Sequence, residues 1–182
     1  MTIPGFSGIF LKRELERGND YLEYSKKILN RGRLLSVSQG NYIGNVPPYG
    51  YDKDIVMDGK RKCPTLKIAP EEAGIVRTIF DMYVNQNKGF YVIANYLNEM
   101  KITPPKGKHW NGDTIRDMIS NVHYIGKVRW NWRKTVNYVE DGEIKKSRPR
   151  TDTDEYLIYD GKHEAIISEE LFNAANLMKD IQ

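Results

Sequence analysis

Read as an alternation of apolar and polar positions, the chain opens on a helical pattern with a thin apolar seam. Leu11, Leu15, Gly18, Leu22, Ser25 and Leu29 recur at spacings of four, three, four, three and four, which suits a single partner helix better than a core. Arg13, Arg17, Lys26, Lys27, Arg31 and Arg33 occupy the remaining surface. One long helix over residues 8–33 is predicted, with Gly18-Asn19 as its weakest point and the place for a break. The next stretch, residues 40–51, is dense in turn formers and aromatics. Gly44 and Gly50 allow positive φ there, and Pro47-Pro48 hold the backbone extended.

Strand and helix signals then alternate. Ile55-Val56-Met57 and Thr65-Leu66-Lys67-Ile68 flank Asp58-Gly59, a strand-turn-strand pattern. Pro70, Glu71 and Glu72 start a helix whose buried face is Ile75, Val76, Ile79, Phe80 and Tyr83. Two shorter helices follow. Ile93, Leu97 and Met100 mark the first, which Thr103-Pro104-Pro105 stops; Ile115, Met118, Ile119 and Val122 mark the second, with Asn111 as its N-cap. In the last third, three strand signals predict a small antiparallel sheet. These are Tyr124–Trp132, a hairpin of residues 135–139 and 143–144 around Asp141-Gly142, and a hairpin of residues 156–159 and 165–167 around Asp160-Gly161. Ser168 caps a final helix along Leu171, Phe172, Ala175 and Met178. The expected class is α+β: a helical core containing a helix-turn-helix-like pair, a small antiparallel sheet of hairpins, and a long N-terminal linker helix. Residues 1–35 form that linker, and residues 36–182 form the domain.

Charge sharpens this picture. The 182 residues carry a formal charge of +4, but residues 101–150 alone hold twelve Lys/Arg against five Asp/Glu. A basic block interleaved with Trp and Tyr suits a phosphate backbone; an ordinary solvated surface would look the same on charge alone. Lys106, Lys108 and His109 stand just ahead of the second short helix, whose first turn is polar. A short helix braced by another and preceded by cations is how a helix-turn-helix presents side chains to the major groove, although such helix pairs also occur in proteins that never touch DNA.

Other chemistries find little support. Cys63 is the lone cysteine, which rules out an intrachain disulfide and a cysteine-based zinc site, and it is expected to be a buried or half-buried thiol. No window has the length of a transmembrane helix, and Met1–Phe10 lacks the pattern of a signal peptide. A reducing cytoplasmic, nucleoid-associated setting is expected. No metal-spaced carboxylate cluster or Walker loop is visible, and His109, His123 and His163 share no local motif. Among twelve tyrosines a tyrosine nucleophile would need an Arg and His-x-x-Arg constellation, which is not visible. His123 is read as structural. No catalytic residue, metal or cofactor is expected.

The order of Gly44, Pro48-Tyr49-Gly50-Tyr51, the helix with Glu72, Val76, Ile79-Phe80 and Tyr83, then Gly89, Ile93-Ala94, Leu97-Asn98, Ile102-Thr103-Pro104, Gly107, Trp110, Thr114-Ile115, Asn121, Tyr124 and Gly126 resembles the recombinase domain of large serine recombinases. The likeness runs from about residue 30 to the end. Residues 8–33 resemble the end of the helix that joins this domain to the catalytic domain in that family. The resemblance implies binding to part of a phage or mobile-element attachment site, with the helix from Trp110 to Asn121 entering the major groove. It also implies two parts with no counterpart here, the domain bearing the attacking serine and the zinc ribbon. The expectation is therefore an excised fragment or a degenerate natural protein that binds DNA without cutting it.

Within this reading, Asn111, Thr114 and Arg116 are expected to approach base edges, because they lie in the first turns of the second helix and off its apolar stripe. Lys106, Lys108, Lys127, Arg129 and Arg133 are expected on the phosphate backbone, as are Lys27, Arg31 and Arg33 if the first helix crosses the minor groove. Trp110 is read as a core plug. Tyr42, Tyr49 and Tyr51 are expected to plug the domain, with hydroxyls on phosphates as the alternative. Lys134, Lys145, Lys146, Arg148 and Arg150 decorate a hairpin that is mobile or DNA-facing. The competing function is a protein-interaction module, in which the N-terminal seam pairs with itself or with a partner helix.

Overall fold

Thirty-three residues, Phe6–Ser38, wind into one helix, α1. The computed structural model describes residues 6–131, 133, 135–140, 142–149, 151 and 156–181, with side chains from residue 12 to residue 180. The break anticipated at Gly18-Asn19 does not occur. Ion pairs at i,i+3 support the turns on either side, Arg17 with Glu14 at 3.2 Å and Lys26 with Glu23 at 2.6 Å. Leu15, Leu22 and Leu29 of the seam are all exposed, and the Leu11 side chain lies outside the described residues. The chain divides into two compact units, residues 1–36 and 37–182.

The second unit is built on helix α2 (Pro70–Val84). Pro70 sits at its start, where a missing N–H costs nothing, and Glu71 and Glu72 lie at the positive end of its dipole. Ala73, Val76, Ile79, Phe80, Met82 and Tyr83 are buried along one face; Ile75 is half-buried at its margin. Helices α3 (Phe90–Glu99), α4 (Gly112–Ile119) and α5 (Glu169–Ile181) complete the helical core. Ser168 caps α5 through its hydroxyl, 3.3 Å from the Leu171 N–H.

Among the described residues the strands form three two-stranded antiparallel sheets, two of them in the last third where one small sheet was expected. Strands β1 (Tyr51–Asp58) and β2 (Arg61–Ile68) make the anticipated hairpin, longer at both ends, with Gly59-Lys60 as the loop. Strand β3 (Lys127–Trp130) is shorter than expected, because Tyr124 belongs to a 3₁₀ turn, Val122–Ile125. Strands β4 (Val136–Glu140) and β5 (Glu143–Ser147) pair as foreseen, although Lys134, Asp141 and Arg150 lie outside the described residues. Strand β6 (Leu157–Asp160) corrects the last hairpin: it pairs with β3, Lys127 opposite Asp160, and not with residues 165–167. The N–H groups of Ile166 and Ile167 instead bond the Tyr124 carbonyl at 2.9 and 3.0 Å, which places both side chains in the core.

The turn-rich stretch is an internal clamp. Tyr51 is buried, and its hydroxyl lies 2.8 Å from the Glu164 carbonyl and 3.1 Å from that of His123. Tyr42 is buried too and donates to the Val46 carbonyl, so these hydroxyls serve the fold and the phosphate alternative fails for both. Gly50 takes positive φ, +94°; Gly44 does not. A Cβ at Gly44 would overlap the Tyr42 ring, so close approach is what the position requires. Cys63 is buried. Among the described residues no helix is long and apolar enough to cross a membrane.

Candidate nucleic-acid interface

Helix α3 buries Ile93, Ala94 and Leu97. Met100, expected on this face, is exposed at the C-cap, because Lys101 turns the chain with a φ of +55° and the Ile102 N–H returns to the Leu97 carbonyl at 3.0 Å. The connection to α4 is then pinned by Trp110, a core plug as the sequence suggested. Its indole N–H donates to the Ile102 carbonyl at 2.9 Å and its ring meets Tyr49 edge-on at 5.3 Å. Asn98 closes the clamp. Its side chain accepts from the Trp110 N–H at 2.8 Å and donates to the Trp110 carbonyl at 3.0 Å. No local signal marks this residue, since its partner is twelve positions away.

Helix α4 is amphipathic on a short length, with Gly112, Ile115, Met118 and Ile119 buried. Asn111 caps it: the side-chain oxygen accepts from the Thr114 N–H at 2.8 Å and from the Thr114 hydroxyl at 2.9 Å. Asn111 and Thr114 are therefore engaged with each other through the Asn111 side-chain oxygen. The far end of α4 is held by α5. Asn176 donates to the Ile119 carbonyl at 3.1 Å, and Lys179 reaches the Ser120 hydroxyl at 3.0 Å, a cation at the negative end of the helix dipole. Neither contact was foreseen.

The hydrophilic edge of α4 is open to solvent, with Asn111, Asp113, Arg116 and Asp117 exposed and Thr114 half-buried. Between residues 101 and 117, Lys101, Lys106, Lys108 and Arg116 stand against Asp113 and Asp117. Arg116 lies 3.7 Å from Asp113 and Arg133 lies 3.9 Å from Asp117, both at the surface, where such pairs are weak and exchangeable. Lys106 and Lys108 are exposed on the loop ahead.

Two of the expected cations interact within the fold. Lys127 bonds Glu169 of α5 at 2.8 Å, and that hydrogen bond and charge raise its pKa above the usual lysine value. Arg129 is half-buried on β3, and its charge acts on Tyr42 and His123. Lys27, Arg31 and Arg33 are exposed on α1, within the first unit.

His123 and His163 are buried beside each other, ring centroids 6.1 Å apart. The His163 Nε2–H donates to the His123 carbonyl at 2.9 Å, while its Nδ1 is buried without a partner. His123 Nδ1–H donates to Asn121 Oδ1 at 2.7 Å. Burial lowers both pKa values, that of His123 to about 3 with help from Arg129 and His163. Both rings are neutral packing elements. Among the described residues no group of three His, Cys, Asp or Glu could hold a metal ion.

Comparison with known proteins agrees with this architecture. The Recombinase family model matches residues 70–181. A Bacillus subtilis (strain 168) protein named "Putative DNA recombinase" is 32% identical over 109 residues, 57% of this chain and 21% of that protein. The chain thus spans about a fifth of this relative's length. Two solved structures share the fold at 21% identity and a TM-score of 0.53. "Sequence Requirements of the Listeria innocua prophage attP site" is matched over 84% of this chain and 51% of the other. "Crystal Structure of a LSR-DNA Complex" is matched over 83% and 37%. The chain belongs to the Recombinase family, and its fold is shared with the two solved structures.

Proposed function

We propose that the chain binds double-stranded DNA at the attachment site of a mobile element, as the recognition part of a site-specific recombinase. The observation that carries this reading is the open hydrophilic edge of α4, with Lys106 and Lys108 on the loop ahead of it. In this reading Arg116 and the side chain of Asn111 approach base edges, and Thr114 acts mainly by holding Asn111 in place. Lys106, Lys108 and Arg133 position the phosphate backbone. Lys127 and Arg129 are assigned a supporting place on the same backbone, Lys127 after exchange of Glu169 for phosphate. Residues 1–35 form the linker to a catalytic domain that supplies the strand-cleaving serine, and Lys27, Arg31 and Arg33 on it approach the minor groove. The chain alone binds and does not cut.

The test is titration of duplex DNA carrying the ends of the parent element, over roughly 50–200 mM salt. Each phosphate neutralised should steepen the fall of log K with log salt by about 0.9. Absence of duplex binding at the lowest salt would end this reading.

A second reading is favoured by one observation, the exposure of Leu15, Leu22 and Leu29 by 62%, 55% and 62% on one seam of α1. Pairing through that seam would form a dimer or bind a partner helix. Its strength would change little over the same salt range, because the contact is apolar.

A further inference from the structure

Tyr91, the second residue of α3, is 72% exposed, more than any other described tyrosine, and among the described residues its hydroxyl has no hydrogen-bond partner. Its neighbour Phe90 shows the alternative fate of an aromatic here, stacked on Tyr83 at 4.8 Å. Yet the Tyr91 ring is not loose. It lies on Gly112, the first residue of α4, where an added Cβ would stand 3.0 Å from two ring carbons. The first turns of α3 and α4 therefore lie side by side, with Tyr91 covering the seam between them. Lys88 is exposed just upstream of α3, and Asn111 and Asp113 are exposed beside Gly112.

When a recognition helix enters the major groove, the helix before it crosses the sugar-phosphate backbone. A rigid ring with one outward donor at that crossing suits a phosphate oxygen, and it reaches one at small entropic cost. We propose that Tyr91 is a DNA-positioning residue: its ring, seated on Gly112, sets the angle at which α4 meets the bases, and its hydroxyl donates to a phosphate flanking them. This rests on the DNA-binding reading above. It also assigns a role to Gly112, since any side chain there would push the ring aside.

The experiment compares the full chain with Tyr91→Phe, Gly112→Ala and Lys108→Ala. The probes are an arbitrary duplex of about 30 base pairs and a duplex library with a randomised centre. Tyr91→Phe should bind all sequences about three- to tenfold more weakly. It should leave the thermal midpoint and the salt slope unchanged, because a neutral hydroxyl releases no counterion, whereas Lys108→Ala should reduce the slope by about 1. Gly112→Ala should broaden the sequences selected from the library. Parental affinity for Tyr91→Phe, beside a weakened Lys108→Ala, would overturn the role of Tyr91 and leave the DNA-binding reading intact. A parent chain that binds no duplex would overturn both.

Discussion

Asn98 and Trp110 exchange two hydrogen bonds across the α3–α4 connection, at 2.8 and 3.0 Å. This pairing makes the connection a fixed bracket, although the sequence between its ends has the composition of a loop. Replacing Asn98 with Ala strands the N–H and the carbonyl of Trp110 together. The expected loss is about 2–3 kcal/mol, read as a lowered urea midpoint with an unchanged m-value. Asn98→Asp should recover only the half that accepts from the Trp110 N–H.

Arg116 and Lys108 should separate base recognition from phosphate contact. Arg116→Ala is expected to reduce discrimination at one base position by roughly 1–3 kcal/mol. It frees Asp113 from a weak surface pair at 3.7 Å, so the fold should not suffer. Lys108→Ala should weaken binding to every sequence alike. Competition titrations with single-base variants of the bound duplex measure both. Identical profiles for parent and Arg116→Ala would remove α4 from the major groove.

Lys101 adopts a φ of +55°, a conformation that costs a side-chain-bearing residue about 1 kcal/mol. Lys101→Gly should therefore stabilise the domain by up to about that amount, offset in part by the greater freedom of the unfolded chain. Thermal unfolding checks the sign. A destabilised variant would mean that the lysine side chain contributes more than its backbone strain removes.

Acid should loosen the second unit through its two buried histidines. His123 has its pKa lowered to about 3 and His163 is shifted the same way, so below about pH 6.5 the unfolded chain takes up protons that the folded chain refuses. Stability is then complete above that pH and falls as pH drops, by at most about 1.4 kcal/mol per pH unit for each ring. Arg129, Tyr42 and Tyr51 surround the pair, and Arg129 adds to the penalty on charging. Asp81 and Glu170 are held below the ordinary carboxylate range by their hydrogen bonds, so the window from pH 6.5 to 5 lies above their titration. Urea midpoints measured across that window should decline; a flat response would mean the rings charge freely in the folded state.

What could be read from the sequence was what short-range patterns encode. Asn111 before an apolar stripe became a cap, Pro70 with two glutamates opened a helix, and the Asp58-Gly59 signal marked a hairpin whose loop is Gly59-Lys60. The pairing of β3 with β6 was missed because some thirty residues separate Lys127 from Asp160, and the nearer candidate, residues 165–167, had an equally apolar pattern. The same limit hid Asn98, Asn176 and Lys179, which hold α4 from other elements. Gly44 was assigned to backbone freedom when its task is to admit the Tyr42 ring, a distinction that composition cannot make. Of the candidate interface, the exposed α4 edge was legible from amphipathic spacing. The diversion of Lys127 to Glu169 was not, because a cation's partner is chosen by the fold.

The hairpin β4–β5 holds ten residues, every one of them facing water, among them Val139 and Ile144 opposite each other. Its ladder can open without unpacking anything buried, so deuterium should enter those amides long before it reaches Ile79, Phe80 or Ile119. A calorimetric melt would report the domain and be blind to this ribbon. Lengthening or trimming it near Gly142 should leave folding untouched, which makes it the place where relatives can differ in reach without renegotiating the core.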